Sequence, residues 1–299
     1  MSVILVVGAT GSLGGRITRG LLQQGKHVRI LARRNSPSEE LAKQGRANTA
    51  QSLIEAGAQA VYGDLKDRAS LDAACRGVDT VITTATASQR WGEDTIESVD
   101  LHGMLGLIEA AKAAGVKRFI YTSVPGASPE NPLPLFRIKG ICEAALVKSG
   151  MVYTIFQPSV FMEIWIGMLV GMPLQAGQPI SLIGKGDHHQ NFISEADVAA
   201  FEVASVDNPR AANQRLSIGG PASYTWTEVV EAVSKGIGTP LPVQYLPPGS
   251  TVPLLPPEAS ILANGMETFE TFVDMSETAP AYGIKLTTLD EFIRRTFVR

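Results

Sequence analysis

The chain has 299 residues and a formal net charge of −3 at pH 7, from 26 lysines and arginines against 29 aspartates and glutamates. This length allows one large domain, or a nucleotide-binding domain with a smaller lobe, around a substantial core. The near-balanced charge and the lack of a lysine/arginine tract argue against nucleic acid as a direct partner.

Cysteine and histidine usage limits the compartment and the chemistry. Cys75 and Cys142 are too few for a disulfide framework and lack metal-ligand spacing, so we expect packed thiols in the cytoplasm. The adjacent His188 and His189 are poorly placed to chelate one ion, and no metal is predicted. The N-terminal apolar run has only strand length, which argues against a signal peptide. The apolar stretch 159–174 is too short to span a bilayer, so we expect a buried or pocket-lining segment and no membrane contact.

The first predicted element is a strand at residues 3–7 that leads directly into a glycine-rich turn. A helix follows, with Ile17 and Leu21 on its apolar face. Such a turn brings backbone N–H groups and the positive end of a helix to a pyrophosphate. We therefore predict a dinucleotide site that includes Gly8, Thr10, Gly11, Ser12, Leu13 and Gly14.

The residues after the second predicted strand, 28–32, indicate which dinucleotide binds. Folds that prefer NAD usually place an acid here, whereas NADP requires a cation for its 2′-phosphate. This chain has Arg33 and Arg34, with Asn35 as a further polar candidate, and no carboxylate is expected near them to repel the phosphate. Because an arginine fork can hold a phosphate with two hydrogen bonds, NADP(H) is predicted; two solvated arginines are the alternative.

Strand and helix patterns alternate through the first half of the chain. Further strands are predicted at 60–62, 80–82, 119–121 and 153–156, with helices between them such as 98–114. This alternation predicts an α/β fold with a doubly wound parallel sheet of the Rossmann kind. The ligand is then expected at the carboxyl ends of the strands.

The second half of the chain is less regular. Residues 1–156 are predicted to form the dinucleotide-binding domain, and 157–299 mainly a substrate lobe with some segments returning to the core. Amphipathic helices are predicted at 226–236 and 289–297. Prolines between 238 and 257 exclude long regular elements there.

Several motifs resemble one protein family. The spacing Gly8-x-x-Gly11-x-x-Gly14, the fifth strand and the segment Gln157-Pro158-Ser159-Val160-Phe161-Met162-Glu163 resemble atypical short-chain dehydrogenases of the NmrA-like and quinone-oxidoreductase kind, over residues 2–235. The resemblance implies that residues after the third and fourth strands, and two in the later motif, border the nucleotide: Asp64, Leu65, Thr84, Ala85, Thr86, Pro158 and Phe161. A helix N-cap is the alternative role for Asp64, and Asp197 is expected to cap or brace a helix.

The same resemblance raises a catalytic question. Most short-chain dehydrogenases use a Tyr-x-x-x-Lys pair on the helix after the fifth strand, where the tyrosine transfers the proton. Lys139 occupies the lysine position, but Leu135 stands where the tyrosine is expected. Lys139, as a contact to the cofactor, and Ser123, as a donor to a substrate carbonyl, are the candidate catalytic residues. Their alternatives are a solvated lysine and a serine that satisfies loop backbone groups.

Two functions are compatible with the missing tyrosine. In the first, NADPH reduces a small conjugated acceptor such as a quinone, with water or Lys139 supplying the proton. In the second, the chain is a noncatalytic NADP(H) sensor of the NmrA-like type. An apolar acceptor site is predicted at Phe161, Met162 and Trp165, although the same pattern is typical of a packed helix. Trp91 and Trp226 are expected to be packing residues, and the sequence leaves open whether the chain forms a homodimer.

Overall fold

The structure of the protein is a computed structural model that describes residues 2–34, 48–87 and 94–298. Asn35 and Trp91 lie outside the described residues. The chain divides into two compact units, Met1–Gln157 with Val198–Leu216, and Pro158–Asp197 with Ser217–Arg299.

The described residues form the following strands and helices, numbered in chain order. The strands are β1 Val3–Val7, β2 His27–Ala32, β3 Gln59–Tyr62, β4 Thr80–Thr83, β5 Arg118–Thr122, β6 Val152–Pro158, β7 Val160–Phe161, β8 Ile180–Ile183, β9 Gln190–Ile193, β10 Gln214–Ile218, β11 Ser223–Tyr224 and β12 Val243–Leu246. The helices are α1 Ser12–Gln23, α2 Ala50–Glu55, α3 Arg68–Cys75, α4 Met104–Ala113, α5 Pro134–Lys148, α6 Met162–Ile166, α7 Met172–Ala176, α8 Glu195–Ser205, α9 Trp226–Ile237, α10 Pro257–Met266, α11 Thr278–Ala281 and α12 Leu289–Thr296.

The first unit is built on a seven-stranded sheet in the order β10-β6-β5-β4-β1-β2-β3. Neighbouring strands from β3 to β6 pair in parallel, and β1 lies between β2 and β4, with Leu5 opposite both Arg29 and Val81. The apolar runs form these strands because helices cover a parallel sheet on both faces, so Leu5, Val81 and Phe119 are fully buried. The predicted doubly wound α/β fold is confirmed. Its strand order reverses between β1 and β4, and ligands bind at this point in folds of this class.

The helix predicted at 98–114 is two elements in the structure. A π-helical segment, Ile96–Gly103, precedes α4, and Thr95 and Ser98 cap its start reciprocally. Within it, the side chain of Asp100 is fully buried. A sequence pattern of 3.6-residue period does not distinguish such a segment from an ordinary α-helix, and π-helical turns are frequent at functional sites.

The second unit contains two small sheets and a core of its own. Strands β11, β9 and β7 form one sheet, and β12 pairs in parallel with β8 to form the other. Helices α9 and α12 match the two amphipathic helices predicted from the sequence, and Trp226 is buried as expected. The apolar stretch 159–174 forms β7, α6 and a short π-helical turn that pack in this core. Among the described residues, every helix is too short or too polar to cross a membrane.

Candidate functional site

The glycine turn after β1 is closed by its own backbone. The N–H of Gly11 donates to the carbonyl of Gly8 at 3.0 Å, and Gly8 has a φ of +89°, which favours glycine. A Cβ on Gly14 would lie 2.2 Å from the Gly8 carbonyl oxygen, and one on Gly8 would lie 2.8 Å from Thr84 Oγ1. The turn therefore depends on glycine at both positions.

Helix α1 begins at this turn without a side-chain cap. Gly11 is its N-cap residue, and the first turn, which includes Ser12 and Leu13, contains no acidic residue. Asn48 fixes the loop from outside: its backbone N–H donates to the Thr10 carbonyl at 2.9 Å, and its side-chain amide donates to the Gly11 carbonyl at 3.2 Å. The positive end of α1 therefore faces an ordered turn and can receive an anion. Sequence reasoning missed Asn48, because it lies far from the turn in the sequence.

The loop after β4 lines the other side of the turn. The N–H of Thr84 donates to the carbonyl of Val7 at 3.1 Å, which extends the β1–β4 pairing beyond the strands. Ala85 is buried, and Thr86 is half-buried. Thr84 and Ala85, which are predicted to border the nucleotide, thus lie beside the glycine turn.

A charged cluster lies at the ends of β2 and β3. Arg33 Nη1 lies 2.7 Å from Asp94 Oδ2, and Lys66 Nζ lies 2.7 Å from Asp94 Oδ1. The expectation that no carboxylate approaches Arg33 is therefore wrong: Asp94, from the segment before the π-helical turn, bridges both cations. Burial opposes ionisation of Asp94, but hydrogen bonds from Lys66 and Arg33 outweigh burial and lower the pKa of its carboxyl.

The neighbouring residues of this cluster have separate partners. The guanidinium carbon of Arg34 lies 4.7 Å from the ring centroid of Tyr62. The carboxylate of Asp64 accepts from the Lys66 N–H at 2.8 Å, and Asp67, not Asp64, is the N-cap of α3. Leu65 is buried and packs in the core of the first unit. The N-cap alternative for Asp64 is thus wrong, and its role as a nucleotide contact stays a prediction.

Lys139 is buried, contrary to the solvated alternative. Its Nζ lies 3.4 Å from Asp100 Oδ1 and 3.5 Å from the Thr122 carbonyl oxygen, and 5.0 Å from the centroid of the Tyr121 ring. The Lys139 and Asp100 side chains are 6% and 0% exposed. Asp100 Oδ2 also accepts from the Ala87 N–H at 2.8 Å, so the carboxylate joins the β4 loop to the lysine. Leu135 lies one helical turn before Lys139 on α5.

Buried polar groups adjoin Lys139 at the end of β5. Ser123 donates its N–H to the Phe156 carbonyl at 2.7 Å, whereas its Oγ is buried without a hydrogen-bond partner among the described residues. Thr122 donates its hydroxyl to Glu202, which is fully buried on α8. Burial raises the pKa of Glu202 to about 8, against a smaller lowering by the Thr122 hydrogen bond. Ser123 Oγ thus has a hydrogen-bonding capacity that the described residues do not use.

The predicted acceptor residues lie in the second unit. Phe161 and Trp165 are half-buried, and Pro158 is buried at the end of β6. Met162 is fully buried in the hydrophobic core of this unit, which favours the packing alternative for that residue. Asp197 accepts from both the N–H and the hydroxyl of Thr287 at 2.8 Å, so it braces the chain before α12 as expected.

One cluster in the second unit was not anticipated. His188 Nδ1 lies 3.6 Å from Asp187 Oδ1 and 3.7 Å from Glu267 Oε2. The imidazole and two carboxylates have the composition of a metal site.

Comparison with known proteins gives consistent matches along nearly the whole chain. The NmrA-like family matches residues 1–293. The chain is 31% identical to photosystem II assembly factor Ycf39 of Cyanophora paradoxa, over 81% of this chain and 73% of that protein. It is also 31% identical to an NAD(P)H azoreductase of Xenophilus azovorans, over 80% of this chain and 75% of the relative. Among solved structures, an NADPH-dependent quinone oxidoreductase of Escherichia coli in complex with NADPH has the same fold, with a TM-score of 0.79 at 24% identity over 98% of this chain and 99% of that one.

Proposed function

The chain belongs to the NmrA-like family, and on that premise we propose that it is an NADPH-dependent reductase of quinone-like or other conjugated carbonyl acceptors. The resemblance to an NAD(P)H azoreductase supports the reductase class. Buried free thiols at Cys75 and Cys142 support the cytoplasm as its location.

The first unit supplies a cradle that fits NADPH. Gly8 and Gly14 allow the tight backbone contacts that close the turn, and the start of α1 at this turn would receive the pyrophosphate. The cationic side chains of Arg33 and Lys66 at the ends of β2 and β3 would hold the 2′-phosphate, and the loop at Thr84 would border the adenosine. Lys139 would contact the nicotinamide half of the cofactor through its buried ammonium, and Ser123 through its unpaired hydroxyl. When bound, NADPH supplies a hydride.

The single observation that carries the choice of acceptor is Leu135, one turn before a buried Lys139. Leucine cannot transfer a proton, and the lysine ammonium is held against Asp100. Reduction of a simple ketone gives a strongly basic alkoxide that must be protonated as it forms, and Leu135 supplies no proton for this step. A quinone or enone yields an anion that conjugation already stabilises, so water or Lys139 suffices to protonate it.

Turnover of NADPH against a matched panel of acceptors tests this proposal. NADPH oxidation would be followed by its absorbance with quinones, enones and azo compounds, and with saturated aldehydes and ketones as controls. We expect turnover with conjugated acceptors and none with saturated carbonyls. Efficient reduction of saturated ketones would contradict the argument from Leu135.

A noncatalytic NADP(H) sensor is the second candidate. The missing tyrosine and the similarity to an assembly factor, Ycf39, both favour it. Tight NADPH binding without turnover on any acceptor of the panel would establish the sensor in place of the reductase.

A further inference from the structure

We propose that the Asp94 carboxylate is a built-in counter-ion for Arg33 and Lys66, the two cations of the 2′-phosphate subsite. When NADPH binds, its 2′-phosphate replaces the Asp94 carboxylate at these cations. Asp94 thereby lowers the affinity for NADPH and narrows its preference over NADH. The inference rests on the proposed NADPH site and assigns the residue that sets its selectivity.

The geometry of the cluster is that of an anion already bound. Each carboxylate oxygen of Asp94 contacts a different cation at 2.7 Å, Arg33 through Oδ2 and Lys66 through Oδ1. The Asp94 side chain is 8% exposed, whereas Arg33 is 25% and Lys66 37% exposed. The Asp94 carboxylate is therefore more buried than the two cations, and a phosphate can approach the cations from solvent.

The position of the cluster points to the ribose end of a nucleotide. Arg33 directly follows β2 and Lys66 lies four residues beyond β3, and these strands pair in parallel, so their carboxyl ends meet at one edge of the sheet. Asp94 enters from the segment between β4 and the π-helical turn. Residues that follow β2, β3 and β4 thus converge where dinucleotide folds bind the adenosine ribose.

Charge determines the direction of the effect. Removal of the Asp94 carboxylate charge makes the cluster around Arg33 and Lys66 more positive by one unit and leaves Asp64 as the carboxylate that acts on Lys66. A phosphate dianion competes with the Asp94 carboxylate for the same N–H donors and is repelled by it at short range. The 2′-hydroxyl of NADH is neutral and can donate to a carboxylate, so Asp94 does not oppose NADH.

Cofactor binding to Asp94→Asn tests the proposal directly. Dissociation constants for NADPH and NADH would be measured by fluorescence titration without any acceptor. We expect NADPH to bind about 3- to 30-fold more tightly to the variant and NADH to change by less than about twofold. Unchanged or weaker NADPH binding would overturn the proposal, because Asp94 would then position the cations instead of competing for them.

Asp72→Asn is the matched control. It changes the net charge by the same amount and breaks an exposed ion pair with Arg68, whose Nε lies 2.9 Å from Asp72 Oδ1. We expect it to leave the ratio of NADPH to NADH affinity unchanged. An equal gain in NADPH affinity for Asp72→Asn would attribute the effect to overall charge and overturn the proposal.

Arg33→Ala in both backgrounds provides a second, independent readout. If Asp94 occupies Arg33, the loss of NADPH affinity caused by Arg33→Ala is larger in the Asp94→Asn background than in the native chain. Equal losses would contradict the competition. Circular dichroism checks that Asp94→Asn is folded. If it is not, Asp94→Ser replaces it in these titrations. These titrations need no turnover, so a failure of the reductase proposal stays distinguishable from a failure of this one.

Discussion

Lys139 and Asp100 form an ion pair whose two side chains are almost completely withdrawn from water. Such a pair stabilises a fold little compared with apolar residues, but the removal of one partner leaves an uncompensated charge. We expect Lys139→Met to lower the free energy of unfolding by about 3–5 kcal/mol and to reduce NADPH turnover. Urea denaturation and steady-state kinetics on the same preparation measure both effects.

The double variant Lys139→Met/Asp100→Asn separates the two roles of the lysine. It removes the orphaned charge, so we expect most of the lost stability to return. Turnover is expected to stay low if Lys139 contacts the nicotinamide half of the cofactor. Recovery of full turnover in the double variant would reduce Lys139 to a structural residue.

Glu202 gives the protein a specific dependence of stability on pH. Its carboxyl has a pKa of about 8 in the folded protein and of 4.5 in the unfolded chain. Unfolding at a pH between these two values therefore releases a proton. The free energy of unfolding should therefore fall as the pH rises through this window, by up to about 1.4 kcal/mol per pH unit, relative to Glu202→Gln. Urea denaturation of both proteins at several pH values measures the difference.

Glu109→Gln is the control for this titration. Glu109 is 68% exposed and pairs with Arg68 at the surface, so its substitution should leave the pH profile of stability parallel to that of the native chain. If Glu202→Gln also gave a parallel profile, the buried carboxyl would not be protonated in the fold.

At the scale of the element, the β1–turn–α1 segment tolerates no side chain at the close contact between Gly14 and Gly8. Gly14→Ala would place a Cβ 2.2 Å from the Gly8 carbonyl oxygen and force the turn to shift. We expect a loss of about 1–3 kcal/mol in stability and at least a roughly tenfold loss in NADPH affinity. Thermal denaturation and fluorescence titration measure the two effects.

Gly265→Ala is the matched control in another helix. A Cβ at Gly265, in α10, meets no atom within 4 Å, so alanine should leave cofactor affinity unchanged and raise stability by up to about 1 kcal/mol. Normal NADPH affinity in Gly14→Ala would contradict the close approach of the turn to the pyrophosphate.

The strands and the glycine turn at the start of the chain could be predicted from the sequence because their signals are local. The run 3–7 and the glycines behind it predict β1 and its turn, and β2 begins within one residue of its predicted start. The sequence did not reveal the roles of Lys66, Asp94 and Glu202, because their partners lie 28 to 80 residues away. Without knowledge of those partners, each of them is indistinguishable from a solvated charged residue. Leu135 was informative for the opposite reason: its position relative to Lys139 is a local spacing.

At the scale of the whole molecule, the two cysteines report on unfolding of the first unit. Burial raises the pKa of Cys75 to about 11 and that of Cys142 to about 12, and both thiols are inaccessible. We expect neither to react with a thiol reagent in the native protein and both to react in urea. Because NADPH binds only the folded chain, it should slow labelling by roughly 100-fold at 100 times its dissociation constant. Rapid labelling of the native protein would contradict the burial of both thiols.

The order of segments along the chain has a practical consequence for dissecting this protein. A chain shortened after Gln157 would lose α8 and β10, which belong to the first unit, and would leave β6 as an unprotected edge strand. The ring of Phe156 would also lose its neighbour Phe201, 6.1 Å away between centroids. Grafting the second unit from one relative to another therefore requires three junctions, at 157/158, 197/198 and 216/217, and a single crossover would produce a chimera with mixed cores.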